Sequence, residues 1–103
     1  MLTAHALHSL LGTTFGLVTD PSERGSGRTY FLPPITWQPP RSTRILHVRT
    51  DAAGHVAQVR LCISSDNNNS VFAPQPVQWQ TLRPLVAAEI AQYRDYAARA
   101  GRC

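Results

Sequence analysis

Two strand-like runs, Thr43 to Thr50 and His55 to Ser64, flank the four residues Asp51-Ala52-Ala53-Gly54, and this pairing limits the fold more than any other stretch of the chain. Gly54 is available for the positive φ of a tight turn, so the two runs read as a β-hairpin. If Thr50 faces His55, Val48 faces Ala57 and Leu46 faces Val59. These pairs share a face with Leu61 and Ile63, whereas Ile45, His47, Arg49, Val56, Gln58, Arg60 and Cys62 take the other. A one-residue slip would move every apolar side chain to the wrong side, so the pattern specifies which face is core.

The flanking segments supply the partners for that core face. Thr3 is placed to cap a short helix with Leu7, Leu10 and Leu11 on one side, and Gly12 is placed to end it. Thr13 to Thr19 is rich in β-branched and aromatic residues and reads as a strand. Asp20 to Arg28 reads as a loop from its Pro, Gly and Ser content. Thr29 to Trp37 is apolar, but Pro33 and Pro34 cannot donate to a ladder, which predicts an edge strand, a broken strand or extended polyproline. After the polar stretch Asp66 to Ser70 comes a short strand-like piece, Val71-Phe72-Ala73. Leu82, Leu85, Val86, Ile90, Tyr93 and Ala97 then recur at helical spacing. With Thr81 as cap, Pro84 falls in the first turn, where its missing N–H costs nothing, and Gln78 to Gln80 form a separate turn. The expected architecture is α+β in two layers, comprising one domain over residues 1–103. It has a short N-terminal helix, a three- to four-stranded mostly antiparallel sheet and a long C-terminal helix on one sheet face.

A chain of 103 residues with 43% apolar and 16% charged residues is long enough to bury a core without metal or disulfide, so neither cofactor nor metal is expected. Cys62 lies in an apolar run and Cys103 is the last residue, a usage that suits a reducing compartment. The opening residues lack the basic start and small-residue cleavage site of a signal peptide. No apolar stretch reaches the length of a spanning helix, and the expected location is cytoplasmic, away from membranes.

Every basic side chain is Arg, and the net charge is +4, which together favour an anionic partner. On the outer hairpin face, His47, Arg49, Gln58 and Arg60 alternate as a potential phosphate-binding patch, and Tyr30, Phe31 or Trp37 on a neighbouring strand would supply stacking for unpaired bases. Arg24 and Arg28 bracket Gly25-Ser26-Gly27, a small-residue loop suited to a nucleic-acid backbone although it matches no phosphate-loop motif. His5 and His8 are three apart on the first helix, but no HExxH or CxxC accompanies them, and surface histidines explain the spacing. Neither GxSxG nor a papain-like Cys signature is present, and the carboxylates show no paired arrangement, so a catalytic role is not expected. Pro33 to Arg41 is a candidate polyproline ligand, but stiffening of a sheet edge is the favoured reading of such a stretch. Arg94, Arg99 and Arg102 complement the dipole at the end of the long helix.

The run Pro76-Val77-Gln78-Trp79-Gln80-Thr81-Leu82 resembles the Pro-x-Gln-Trp-x-x-Leu run that follows the last strand in the single-strand-binding positive cofactor 4 family. The resemblance covers these seven residues. The chain lacks the Lys-Gly step that precedes the run in that family, and Pro84 interrupts the matching helix. What the resemblance implies is single-stranded nucleic-acid binding. The leading expectation is therefore a small non-catalytic module that binds single-stranded nucleic acid, with nucleic acid preferred over an acidic protein as the anionic partner. The competing expectation is a protein–protein interaction module such as an inhibitor, adaptor or immunity-type regulator, anchored through the Pro-rich edge. A homodimer through the helices is compatible with either.

Overall fold

The computed structural model describes residues 2–20, 27–37, 43–65 and 71–100. The architecture is α+β. An N-terminal helix α1 (Ala4–Phe15) precedes strands β1 (Val18–Thr19), β2 (Arg28–Leu32), β3 (Leu46–Thr50), β4 (Val56–Leu61) and β5 (Val71–Phe72), and a long helix α2 (Trp79–Ala100) closes the order. The sheet is a meander in the order β1-β2-β3-β4-β5 with every neighbouring pair antiparallel. Its five strands exceed the three or four expected because two of them, β1 and β5, are only two residues long.

Thr3 caps α1 as its sequence predicts, its Oγ1 accepting from the Ala6 N–H at 3.1 Å. Gly12 does not end the helix. The helix runs on to Phe15 and stops at Gly16, whose φ of 71° is the left-handed conformation that a residue without Cβ adopts freely. Thr13 to Phe15 are thus helical rather than extended, and only Val18–Thr19 remains as strand. The second apolar run divides at its prolines. Arg28 to Leu32 pair with β1 on one side and β3 on the other, so this is an interior strand. Ladder pairing stops just before Pro33, and a 3₁₀ turn follows at Ile35–Trp37.

The hairpin forms with a different register from simple alternation. Leu46 faces Leu61, His47 faces Arg60, Val48 faces Val59 and Arg49 faces Gln58, but Thr50 faces Val56, which leaves Ala57 as the extra residue of a bulge. The bulge reverses parity once. Val56 turns into the core beside Val59 and Leu61, whereas Ala57, expected inside, is exposed. Burying valine in place of alanine is the apolar gain that favours this register. Asp51 organises the turn, its Oδ1 accepting from the N–H groups of Ala53 (3.0 Å) and His55 (2.9 Å), with Gly54 at φ 84°.

Both helices pack on the Leu46/Val48/Val59/Leu61 side. Leu7 and Leu11 of α1 and Leu82, Val86, Ile90 and Tyr93 of α2 join those residues and Phe31 in one buried cluster. Helix α2 starts two residues before the expected cap, with the N–H groups of Thr81 and Leu82 both donating to the Gln78 carbonyl. Gln78 to Gln80 are therefore not a separate turn, and Pro84 lies inside the helix. Its missing N–H removes the bond to the Gln80 carbonyl, and both residues are exposed, so water can replace the lost donor. Glu89 is buried to 1% exposure and ties α2 to the end of β4. Its carboxylate accepts from the Ile63 N–H at 3.0 Å and from the Ser64 hydroxyl. Ile63 itself thus belongs to a 3₁₀ turn (Ile63–Ser65) rather than to the strand.

Candidate nucleic-acid interface

Cross-strand register gathers the polar residues of β2, β3 and β4 into two rows on the face opposite the helices. One row is Tyr30–His47–Arg60–Phe72, running across four strands; the other is Arg28–Arg49–Gln58. At roughly 4.8 Å per strand the first row spans about 14 Å. Arg49 and Arg60 share this face, and Arg28 joins them from β2. Arg28 and Arg49 are exposed; Tyr30, His47, Gln58 and Arg60 are half-buried among their neighbours. Arg28 and Arg49 are cross-strand partners, and like charges on facing residues repel.

The Tyr30 ring is stacked on both faces. His47 lies parallel to it, with centroids 4.3 Å apart and planes 16° apart, and the Arg44 guanidinium covers it from 3.9 Å. Arg44 is in turn held by Asp20, its Nε donating to Oδ2 at 3.1 Å and its Nη2 lying 3.0 Å from the same oxygen. Such stacks contribute about 0.5–1 kcal/mol at exposed sites. They make Tyr30 a supporting pillar of the surface and leave it no ring face for a base. On this face Phe72, at 44% exposure beside Arg60, presents an aromatic ring to solvent. Arg60 Nε is buried and has no hydrogen-bond acceptor among the described residues.

The remaining residues singled out in the sequence fall elsewhere. Phe31 is buried in the core at 1% exposure, its ring edge-on to His8 at 5.1 Å, and cannot stack on a base. Trp37 lies on the helix side, with Arg94 over its ring at 4.6 Å and its carbonyl accepting from the Tyr93 hydroxyl at 3.4 Å. Arg24 lies outside the described residues, as do Arg41, Arg102 and Cys103. Ile45, assigned to the outer face by alternation, is fully buried. The sequence reading missed Arg44 and Phe72. Arg44 precedes its strand, and Phe72 acquires its place only through a two-residue pairing with β4, so neither carries a periodic signal.

No metal-like grouping of three His, Cys, Asp or Glu side chains occurs among the described residues. His5 is exposed, whereas His8 is half-buried, and that burial, with His5 beside it, lowers the His8 pKa below its usual value. Cys62 is a half-buried thiol whose pKa is pushed up by burial, which opposes thiolate formation. No helix among the described residues is long and apolar enough to cross a membrane. No family model matches the sequence, and no curated protein or solved structure gives a significant match to it.

Proposed function

We propose that this chain is a non-catalytic module that binds single-stranded nucleic acid on the sheet face carrying Arg28, Arg49 and Arg60. The observation that carries the reading is their convergence with the solvent-facing ring of Phe72 on one side of the sheet. In this reading the three guanidinium groups hold successive phosphates, and Gln58 adds hydrogen bonds between them while His47 supports the Tyr30 ring from beneath. Phe72 takes one unpaired base. A duplex keeps its base faces inside its own stack, so a ring platform of this kind selects single strands. Stacking tolerates any base, which makes the expected sequence preference weak.

The test is a salt titration of a fluorescently labelled oligothymidylate by anisotropy. Three phosphate contacts to a single strand predict a log–log salt slope of about −2, and Arg49→Ala should flatten it by about 0.7. Phe72→Ala should weaken binding by about 1–3 kcal/mol at every salt concentration and leave the slope unchanged. Affinity that does not respond to salt, or that survives loss of all three arginines, eliminates the reading.

A further inference from the structure

On the opposite side of the molecule, a groove runs between the C-terminal end of α1 and the outer flank of α2. It consists of two hollows of about 480 and 290 Å³ that meet at Phe15 and Ala87. Trp79 and Pro84 wall the first, and Trp37 and Ile90 the second. Arg83 stands in one hollow and Arg94 in the other. Eleven positions apart on a helix, these arginines are within about 20° of three full turns, so they project to the same side, roughly 16 Å apart along the axis. Neither pairs with a carboxylate among the described residues. Asp95, the acidic neighbour on α2, is held by Arg99 at 2.5 Å, and Glu89 is buried.

We infer that this groove docks an acidic, apolar-anchored peptide segment of a partner protein, its carboxylates meeting Arg83 and Arg94 and its apolar side chains filling the hollows over Ala87. Charge complementarity selects the occupant. An apolar floor bordered by two cations without carboxylate partners attracts a segment with the converse pattern, and Arg offers the planar fork that carboxylates match. The helix-in-groove mode of recognition has these dimensions, since about eleven helical residues span 16 Å. A nucleic-acid strand suits the groove less well. Arg94 already covers the Trp37 ring, and Phe15 and Trp79 are turned toward each other at 6.1 Å and 57°, which withholds ring faces from bases.

The inference stands independently of the sheet-face reading. Its test is selection from a phage-displayed library of random 16-residue peptides against the full chain. The expected outcome is enrichment of Asp and Glu beside Leu, Phe or Trp. Ala87→Gln, which adds bulk at the junction of the hollows on an exposed helical position, should weaken the selected peptides at least tenfold. The double variant Arg83→Glu/Arg94→Glu should instead select basic peptides, and this reversal decides the matter even if Ala87→Gln proves poorly folded by circular dichroism. No enrichment, enrichment without acidic bias, unchanged binding to a folded Ala87→Gln variant, or displacement of the peptides by oligothymidylate would overturn it. Oligonucleotide affinity of Ala87→Gln, expected to equal that of the parent, separates failure here from failure at the sheet.

Discussion

On β3, Leu46 and Val48 are sealed in the core, while His47 and Arg49, interleaved with them, stand on the opposite face. The same is true across the ladder on β4, where Val59 and Leu61 are buried and Gln58 and Arg60 are not. One backbone therefore carries two surfaces with different energetics. The inner surface is held by close packing, in which each lost methylene leaves a void that neighbours cannot refill. The outer surface is held by stacking and ion pairs of small individual worth, such as Arg44–Asp20 and Tyr30–His47, and its composition is free to answer to a ligand.

That contrast is sharpest in a pair of substitutions on one strand. Leu46→Ala should lower unfolding stability by about 2–5 kcal/mol in urea titrations, since the side chain is fully enclosed. Arg49→Ala should change stability by less than about 0.5 kcal/mol while weakening any oligonucleotide complex. Equal stability losses at the two positions would show that the outer face is packed as tightly as the inner one. A second measurement concerns the seam where α2 meets the end of β4. Glu89→Leu removes the acceptor of the Ile63 N–H and should cost about 2 kcal/mol, while Glu89→Gln, which keeps one acceptor oxygen, should cost less. If Glu89→Leu stabilises the protein instead, apolar packing outweighs the clamp, as it does in some buried ionic sites.

The smallest effect is electrostatic and lies on the inner side. Burial against Phe31 holds the His8 pKa below 6.5, so the folded state binds a proton less readily than the unfolded chain. Well above pH 6.5 both states are neutral and His8 adds no pH dependence. As pH falls from 6.5 toward the lower folded value, the unfolded state takes up protons first and stability declines. Replacing His8 with Phe should remove this decline between the two values, measured as the difference between parent and variant in urea midpoints over a pH series. Parallel curves for the two proteins would place His8 in a more solvated setting.

The legible parts of this molecule were those whose signal is periodic. The helix cap at Thr3, the apolar face of α2 and the common parity of His47, Arg49, Gln58 and Arg60 all follow from local spacing, and the structure has each of them. Register at the hairpin turn was not legible, because alternation cannot choose between an alanine and a valine inside until the core competes for both. The end of α1 was not legible either, since Gly12 and Gly16 are equal candidates until Leu11 and Leu17 are both required in the core. Trp37 read as a partner for the sheet face, yet the turn after Pro33 and Pro34 carries it to the helices.

The order of helices and strands, the side of each long strand that turns inward and the cationic character of the outer face were written into the chain, because each depends on residues near one another in sequence. What sits beside what was decided only by folding. The bulge at Ala57, the Arg44–Tyr30–His47 column, the exposure of Phe72 next to Arg60 and the groove between Arg83 and Arg94 all arise from contacts between distant segments. Such contacts are chosen by the volume and hydrogen-bonding demands of the whole core, and no single segment contains that information.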